Sequence, residues 1–455
     1  MAVLQNLENK IKMVMIISSL FLVGCVVISL GSIFIARGMV SDAHKKVYVL
    51  DGNVPILVKQ TTMEETFDVE AKSDIEMFHH FFFTLAPDDK YIRYTMEKAM
   101  YLIDETGLAQ VDSTVAAYLM KQAGCRCMGA TMRLYQNEDL GQSGFHTCCS
   151  AKDVEDAAEV AFQLDIPFEV VNYTEEFREK VIAKFIETYE AGGTPNPCID
   201  CNRTMKFDKM LDFAREHGLD YVVTGHYARI EQDPATGRWL LKKALYTDKD
   251  QSYVLYVLTQ DQLAHTKFPL GGMDKPSIRK IAEEQGFCNA RKHDSQDICF
   301  VPDGDYVGFM ERYTGKYYPD GDFLDVNGNV VGRHHGAVRY TCGQRKGLGL
   351  ALGAPVYVCG KDMEKNTVTV GPESELFKTT LIAGDFNWIS VPELTAPMRV
   401  KAKARYRQVE QPATAYPLEN GLVKVVFDEP QRAITRGQAV VLYDGDVVVG
   451  GGTIL

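Results

Sequence analysis

The chain has 455 residues, of which 46% are hydrophobic and 24% are charged, and its formal net charge is -12. This composition is typical of a globular protein with buried cores, and it excludes a disordered, collagenous or mainly transmembrane chain. The acidic balance argues against a protein that binds nucleic acid with its whole surface, but it leaves room for a local basic strip. Eleven cysteines in so long a chain fit reduced, catalytic or metal-binding thiols better than a secreted disulfide scaffold.

Residues 13–36 form an apolar run without a single charge. A helix needs about 20 apolar residues to cross the hydrocarbon core of a bilayer, so the run predicts a membrane anchor. The alternative is a cleaved signal peptide, but the run is longer than the apolar part of such peptides. Basic residues lie on both sides of the run and leave its orientation open.

The segment that follows, up to residue 110, has a mixed character. Apolar runs at 47–50 and 54–58 predict two short strands around the turn Asp51-Gly52-Asn53. Residues 75–85 predict an aromatic-rich amphipathic helix or a buried strand. Its adjacent histidines, His79 and His80, face different sides of either element, which favours packing over metal binding.

From residue 111 the pattern changes to helices that alternate with short apolar strands. The predicted helices are 111–123, 154–164, 177–189 and 207–217, and the predicted strands are 127–132, 168–171 and 221–224. This alternation predicts a doubly wound parallel α/β sheet. Ligands bind such sheets at the carboxyl ends of the strands, and Gly225 follows one of those ends. Asp112 and Ser113 are expected to cap the first helix.

The remainder of the chain is poor in helical pattern. The helices thin out after about residue 303, and residues 317–376 carry turn signals. Residues 379–455 predict a small C-terminal β-barrel from short strands with regular turns.

Two cysteines stand close together on a proline-rich loop that opens a helix. Cys198 and Cys201 form a C-x-x-C pair, and a helix N-terminus favours the thiolate, which is the form that attacks or binds metal. Redox or nucleophilic use is favoured over structural zinc, because Cys148-Cys149 is a poor second pair for a tetrahedral site. An iron–sulfur cluster that uses Cys148 or Cys149 with Cys198 and Cys201 stays open. The spacing around Cys299 alone indicates a buried structural cysteine.

Basic residues cluster in two places near the C-terminus. A strand would put five alternating cations on one face, and this face is either merely solvated or binds a polyanion; the five are Arg399, Lys401, Lys403, Arg405 and Arg407. The glycine-rich basic turn at 343–349 suggests phosphate contact.

From Val111 to the C-terminus the chain resembles the tRNA-specific 2-thiouridylases of the MnmA family. The resemblance rests on motifs that include VDSTVAAYLM, TPNPCIDCNRTMKF, DYVVTGHYARI, KDQSYVLY, RKHDSQDICF, GQRKGLGL and KARYRQ. It implies a cytoplasmic enzyme that installs sulfur at C2 of a wobble uridine of tRNA, using ATP, Mg²⁺ and a persulfide from a sulfur-relay donor protein. It also implies a PP-loop nucleotide-binding domain at 111–303, a small central domain at 304–378 and a β-barrel at 379–455.

The resemblance implies roles for individual residues. Cys299 would hold the persulfide, and Cys201 would be the partner nucleophile that forms an alternating disulfide with it. The remaining implied positions are Asp112, Ser113, Met132 and Gly225 for ATP, Asn196, Pro197 and Cys198 for the target base, and Lys249, Asp250, Gln251, Arg405 and Tyr406 for tRNA.

Residues 1–110 resemble a different family, the TraK proteins of conjugative transposons. The resemblance rests on the single anchor, the VYVL strand and the run VEAKSDIEMFHHFFFTLAPDDKYI. It implies an inner-membrane-anchored component of a secretion channel whose body lies outside the cytoplasm. The second interpretation of the whole chain is therefore a conjugation-channel fragment with an inert thiolase passenger, and the third is an artefact of assembly or recombination.

The junction between the two parts falls on the phosphate-binding loop. The 2-thiouridylase loop has the sequence Ser-Gly-Gly-x-Asp-Ser, whereas this chain has Leu108-Ala109-Gln110 before Val111-Asp112-Ser113. Glycine lets a backbone approach a phosphate closely, and Ala109 and Gln110 add Cβ atoms there. We interpret the junction as a fusion that replaced the first strand and most of the loop, and residues 101–104 are expected to replace that strand only poorly. We therefore expect ATP-dependent adenylation to be severely impaired.

Overall fold

The computed structural model describes residues 46–51, 54–60, 99–102, 109–135, 151–290, 292 and 298–455. The chain divides into two units, residues 1–81 and residues 82–455. In the first unit, β1 (Lys46–Asp51) and β2 (Val54–Gln60) form an antiparallel hairpin, which confirms the two predicted strands. The predicted anchor at 13–36 and the aromatic segment at 75–85 lie outside the described residues. Within the described ranges, no helix is long and apolar enough to cross a membrane.

The second unit contains the helices and the remaining strands. Its helices are α1 (Ala109–Gln122), α2 (Ala151–Gln163), α3 (Thr174–Phe177, Arg178–Ile182 and Ala183–Glu190), α4 (Pro197–Cys201, Asn202–Lys209 and Met210–Glu216), α5 (Ser252–Leu255), α6 (Gln260–Ala264), α7 (Lys275–Glu284) and α8 (Tyr306–Thr314). The middle stretches of α3 and α4 are π-helical. Such local widening of a helix is frequent at functional sites.

The first sheet of this unit is parallel throughout and has the order β5-β4-β3-β6-β9. Its strands are β3 (Ala99–Leu102), β4 (Gly129–Arg133), β5 (Phe168–Asn172), β6 (Tyr221–Val223) and β9 (Thr266–Lys267). The order confirms the predicted doubly wound sheet.

The central strand of this sheet comes from the segment that precedes the junction. In β3, Tyr101 pairs with Gly129 of β4 and with Val223 of β6. Of the segment 101–104, which is expected to replace the first strand poorly, residues 101 and 102 belong to β3, and residues 103 and 104 lie outside the described residues. Residues 101–102 pair with β4 and residues 99–101 pair with β6. A parallel sheet is stable only when its inner strand bonds to both neighbours, and this segment meets that requirement.

Both faces of the sheet are covered, as the alternation within β6 shows. Tyr221 and Val223 pack into a core with α1, α2 and α7, whereas Val222 packs into a second core with α3 and α4. Side chains of successive strand residues point to opposite faces, so this split places helices on both sides of the sheet.

The central and C-terminal parts are built from antiparallel and mixed sheets. The central sheet has the order β11-β10-β13-β12, and its strands are β10 (Gly321–Leu324), β11 (Val330–His334), β12 (Tyr357–Asp362) and β13 (Thr367–Gly371). The C-terminal strands follow the order β14-β17-β16-β15-β18-β19, and a β14–β19 pairing closes them into the predicted barrel. These strands are β14 (Phe377–Trp388), β15 (Met398–Lys403), β16 (Gln411–Pro417), β17 (Val423–Arg432), β18 (Ala439–Asp444) and β19 (Val447–Ile454).

A hairpin of the first domain connects to the barrel. It consists of β7 (Ala228–Gln232) and β8 (Trp239–Lys243), and β8 pairs with β19 through Lys242 and Val447. Asp446 of the barrel accepts ion pairs from Arg229 at 2.6 Å and from Lys242 at 3.3 Å. The hairpin therefore fixes the barrel against the α/β domain.

Replacing Met100 with proline tests the central strand. Proline has no backbone N–H, so the substitution removes one ladder hydrogen bond and leaves its buried acceptor unpaired. We expect the free energy of unfolding to fall by about 1–3 kcal/mol, measured by urea denaturation followed by circular dichroism. Val49→Pro, in the β1–β2 hairpin of the first unit, is the control. Equal unfolding curves for the native chain and Met100→Pro would contradict the placement of β3.

Candidate functional site

The carboxyl end of β6 lies against the N-terminal part of α1. A Cβ atom on Gly225 would lie 2.6 Å from the carbonyl carbon of Asp112 and 2.7 Å from the backbone nitrogen of Ser113. Only glycine allows this approach, because real Cβ atoms do not come so close to backbone atoms. The chain crosses from one side of β3 to the other at β6, so this is the switch point at which ligands bind in doubly wound sheets.

Asp112 is the centre of a buried polar cluster at this point. Its Oδ1 atom accepts a hydrogen bond from the Lys275 ammonium group at 2.5 Å and one from the Tyr227 hydroxyl group at 2.9 Å. The side chains of Asp112 and Lys275 are 12% and 10% exposed. The cluster holds the first turns of α1 to the loop after β6 and to the start of α7.

The predicted cap on α1 is wrong. The helix begins at Ala109, so Asp112 and Ser113 lie inside it rather than before it. Ala109 and Gln110 are themselves helical, at the positions that the resemblance aligns with the two glycines of the phosphate loop. The backbone is therefore already helical where a glycine-rich loop would expose its N–H groups to a phosphate.

The cysteine pair lies at the start of α4. The helix begins at Pro197, which puts Cys198 in the first turn and Cys201 about one turn later, as the sequence predicts. Cys198 is exposed and Cys201 is buried. The two thiols therefore have different environments although they share one helix.

Cys299 and Cys201 are associated with one hydrophobic core, although 97 residues separate them in the sequence. Cys201 belongs to the hydrophobic core under the sheet, and Cys299 packs against that same core. The backbone carbonyl of Cys299 accepts a hydrogen bond of 2.8 Å from the Tyr135 hydroxyl group. Cys299 is only half-buried, which differs from the fully buried structural cysteine that its spacing indicates.

The segment that contains Lys249, Asp250 and Gln251 is fixed by hydrogen bonds of its own. The Asp250 carboxylate accepts from the backbone of Ala244 at 3.0 Å and from the Ser252 hydroxyl group at 2.7 Å. Gln251 exchanges two bonds with the backbone of Tyr227, of 2.8 and 2.9 Å. These contacts orient the segment and connect it to the residue that bonds Asp112.

Tyr406 brings the barrel into the same neighbourhood. Its hydroxyl group donates to the Asp250 carbonyl at 3.3 Å, and its ring packs edge-on against Tyr253 at 5.7 Å. Burial raises the pKa of Tyr406, and the nearby charges of Asp250 and Cys198 raise it further. The structure thus brings together residues from three predicted groups: the cysteine loop, the Lys249–Gln251 segment and the barrel.

The other predicted positions have separate environments. Asn196 lines a cleft between α4 and the barrel, together with Lys184, Arg203 and Thr453. Met132 lies near the carboxyl end of β4 and is fully buried in the core that contains Cys201.

Comparisons with known proteins find relatives over most of the chain. Three family models match: a tRNA methyl transferase HUP domain at residues 107–303, a tRNA methyl transferase PRC-barrel domain at 307–372 and an aminomethyltransferase beta-barrel domain at 378–454. The tRNA-specific 2-thiouridylase MnmA of Clostridioides difficile is 51% identical over 76% of this chain and 95% of its own length. That of Acetivibrio thermocellus is 49% identical over 79% of this chain and 100% of its own length.

The chain belongs to the MnmA family of tRNA-specific 2-thiouridylases. The matches cover the part that carries the resemblance to this family, and none of them supports the TraK resemblance of residues 1–110, which stays a prediction. A solved U34-tRNA thiolase, NcsA from Methanococcus maripaludis with its [4Fe-4S] cluster, aligns at 13% identity over 56% of this chain and 80% of that chain. Its TM-score is 0.28, which carries no argument about this member of the MnmA family.

The predicted basic face of this family member exists only in part. β15 ends at Lys403, so Arg405 and Arg407 lie beyond the strand. Arg399 forms a bidentate ion pair with Asp428 at 2.7 Å. Lys403 lies 5.8 Å from the ring centre of Tyr253, and burial lowers its pKa. Four of the five cations are exposed, namely Arg399, Lys401, Arg405 and Arg407, and Arg399 is the one of these four that pairs with Asp428.

All cysteines of the described residues are free thiols, and they include Cys198, Cys201 and Cys299. No group of three or more potential metal ligands occurs within the described ranges. Cys148 and Cys149, which an iron–sulfur cluster would need, lie outside those ranges.

Sequence reasoning missed two residues of the polar cluster, Tyr227 and Lys275. Tyr227 stands in the motif DYVVTGHYARI, but the motif gives no partner for its hydroxyl group. Lys275 follows Asp274 and precedes Pro276, a pattern that predicts only the start of a helix. Its partner is 163 residues away in the sequence, and no local signal connects the two.

Gly225→Ala tests the contact between β6 and α1. The added methyl group must displace the backbone at Asp112, so we expect a loss of about 1–3 kcal/mol in the free energy of unfolding. Gly360→Ala is the matched control, since its Cβ would meet no atom within 4 Å. Urea denaturation of both variants measures the difference. A Gly225→Ala variant as stable as Gly360→Ala would contradict the close approach.

Proposed function

We propose that the chain is an ATP-dependent tRNA 2-thiouridylase whose nucleotide site is impaired by the altered loop. The observation that carries this proposal is that Cys201 and Cys299 share one core beside the cysteine loop, in a chain about 50% identical to 2-thiouridylases over most of their length. The alternative of a conjugation-channel fragment with an inert passenger has no comparable support.

The chemistry needs a leaving group and a sulfur nucleophile. The C2 oxygen of uridine leaves poorly, and transfer of AMP from ATP to that oxygen, with release of pyrophosphate, converts it into a good leaving group. The terminal sulfur of a persulfide on Cys299 then attacks C2, and AMP departs with the oxygen. Cys201 attacks the Cys299 sulfur, forms a disulfide with it and releases the thiouridine. A thiol reductant restores both cysteines.

The remaining residues bind and orient the substrates in this proposal. Asp112, Ser113, Met132 and Gly225 line the ATP site at the switch point of the sheet. Asn196, Pro197 and Cys198 face the target base, and Lys249, Asp250, Gln251, Arg405 and Tyr406 contact tRNA. The contact of Tyr406 with Asp250 supports one continuous tRNA surface across the α/β domain and the barrel.

The residues that are present fit Mg²⁺ better than they fit an iron–sulfur cluster. Mg²⁺ uses one or two carboxylates together with substrate phosphates. Asp112 would supply one carboxylate at the proposed ATP site. Magnesium would offset phosphate charge during AMP transfer. A cluster needs a third cysteine beside Cys198 and Cys201. Among the described cysteines, Cys299 shares the core of Cys201, and this proposal assigns Cys299 to the persulfide.

The enzyme part needs ATP and tRNA and is therefore proposed to work in the cytoplasm, with sulfur delivered by a persulfide donor protein. The membrane anchor at 13–36 stays a proposal, and fractionation of cells that express the chain tests it. Recovery in the membrane fraction that resists high salt would support an anchor. Recovery in the soluble fraction alone would contradict it.

The activity is tested in a host that lacks its own 2-thiouridylase. Nucleoside mass spectrometry measures wobble 2-thiouridine after expression of the native chain or of a variant with Leu108→Ser, Ala109→Gly and Gln110→Gly. We expect at least about tenfold more 2-thiouridine from the restored loop, because its N–H groups can again face phosphate. Equal amounts from both chains would contradict the impairment. No 2-thiouridine from either would contradict the proposed activity.

Cysteine variants in the restored chain test the sulfur chemistry. Cys201→Ser and Cys299→Ser should each reduce 2-thiouridine by at least about a thousandfold, because each removes a nucleophile that one step requires. Cys288→Ser is the matched control, since Cys288 is exposed and its sulfur contacts the Asp156 carbonyl, at the side of the sheet occupied by α2. Retained activity in either of the first two variants would contradict the assigned roles.

A further inference from the structure

The start of α4 is not fixed by a side-chain cap of its own. Asn196 precedes the helix, and its side chain accepts no hydrogen bond from the first turn. Such a cap usually satisfies one of the N–H groups there and fixes the direction in which the chain enters the helix. The proposed function puts Asn196, Pro197 and Cys198 at the target base, so their position must be fixed by other contacts.

The turn between β17 and β18 of the barrel supplies these contacts. The Arg436 carbonyl accepts a hydrogen bond of 2.8 Å from the Thr194 N–H group. The side-chain amide of Gln438 donates to the Thr194 carbonyl at 2.8 Å and to the Pro195 carbonyl at 3.4 Å. The barrel thus holds Thr194 by both of its backbone polar groups, two residues before Asn196.

The barrel turn is itself held in place and leaves little space beside this segment. The Gly437 N–H group donates to the Ile454 carbonyl at 2.9 Å, and the Ile454 N–H group donates to the Gln438 carbonyl at 2.8 Å. Gly437 has a φ of +85°, and a Cβ atom there would lie 2.7 Å from Thr188 Cγ2 and 3.1 Å from the Thr194 nitrogen. The last strand of the barrel therefore fixes the turn against which the segment packs.

Two prolines connect the held carbonyls to the cysteine helix. Pro195 and Pro197 stand on either side of Asn196, and the proline ring fixes φ, which leaves this stretch few ways to absorb a displacement. Pro197 is also the first residue of α4, a position that proline favours. A shift at Thr194 would therefore reach Cys198 in the first turn of the helix.

We infer that Gln438 is a positioning residue for sulfur transfer. Its side-chain amide holds residues 194–198, the base-facing segment, in the place that the reaction requires. The barrel therefore helps to build the site in addition to contacting tRNA. Gln438 acts through Thr194 and Pro195 and does not itself touch the base. The inference rests on the proposed function, since it concerns the reaction of the thiouridylase.

Single-turnover kinetics test the inference in the full chain with Ser-Gly-Gly at 108–110. The Cys299 thiol is converted to the persulfide by inorganic polysulfide, which becomes one sulfur shorter, and mass spectrometry measures the loading. ATP, Mg²⁺ and an unmodified tRNA with a wobble uridine are then added. We expect Gln438→Met to slow 2-thiouridine formation at saturating enzyme by at least about tenfold, because a small misplacement of reacting groups is costly. The dissociation constant of the tRNA should change by less than about twofold.

Hydrogen exchange provides a second measurement that does not depend on activity. Amide exchange in the peptide 191–201 reports local opening of the base-facing segment. We expect it to be at least about fivefold faster in Gln438→Met, because the variant keeps the length of the side chain and loses both donated bonds. Gln232→Met is the matched control, since the Gln232 amide also donates to a backbone carbonyl, that of Gly237 at 3.0 Å, in the β7–β8 hairpin. It should change neither the rate nor the exchange.

Each other result overturns the inference. An unchanged rate in Gln438→Met shows that the contact is only structural, even if the melting temperature falls. A slower rate with unchanged exchange shows that Gln438 acts on the substrate directly. Weaker tRNA binding with an unchanged rate at saturation assigns Gln438 to binding alone.

Two further cases keep the test decisive. If Gln438→Met does not fold, Gln438→Glu is judged by the same criteria, because an ionised carboxylate has the same size as the amide and donates no hydrogen bond. If the chain with Ser-Gly-Gly forms no 2-thiouridine, the inference falls together with the proposed function. If that chain is active and both Gln438 variants match its rate, the inference alone is wrong.

Discussion

The parallel pairing of Ala99–Leu102 with both β4 and β6 is the constraint on which the α/β domain depends. Without it, the inner edges of two strands would be unpaired within a core, at a cost that no surface contact could offset. The switch point between β3 and β6 exists only because this strand is present. The segment that precedes residue 108 therefore supplies the backbone on which the proposed nucleotide site depends.

Replacing a strand is physically easier than replacing a phosphate loop. An inner strand of a parallel sheet needs regular backbone hydrogen bonds and apolar side chains, and many sequences meet this requirement. A phosphate loop needs particular backbone N–H directions, which depend on glycines at fixed positions. In the proposed interpretation, the junction at residue 108 preserves the fold and impairs the chemistry, and α1 begins at Ala109, which the resemblance aligns with a glycine of the loop.

The sequence predicted the alternation of helices and strands, the barrel and the cysteine loop, because each depends on local periodicity or on a compact motif. It did not predict that residues 99–102 form the central strand β3, because four residues carry too little pattern to identify a strand. It also missed Lys275, whose importance comes from a contact across 163 residues. The five-cation face was predicted from alternation alone, and it is shortened because β15 ends at Lys403.

Backbone groups as well as side chains connect the polar cluster around Asp112 with the segment that contains Asp250 and Gln251. Tyr227 bonds Asp112 with its hydroxyl group and Gln251 with its backbone, while the neighbouring Asp250 carbonyl accepts from Tyr406 of the barrel. A displacement of α1 by the altered loop would therefore also act on the segment that is proposed to hold tRNA. The β7–β8 hairpin connects the domain of that segment to the barrel, so the contact between Tyr406 and Asp250 is supported by a second connection between the same two domains.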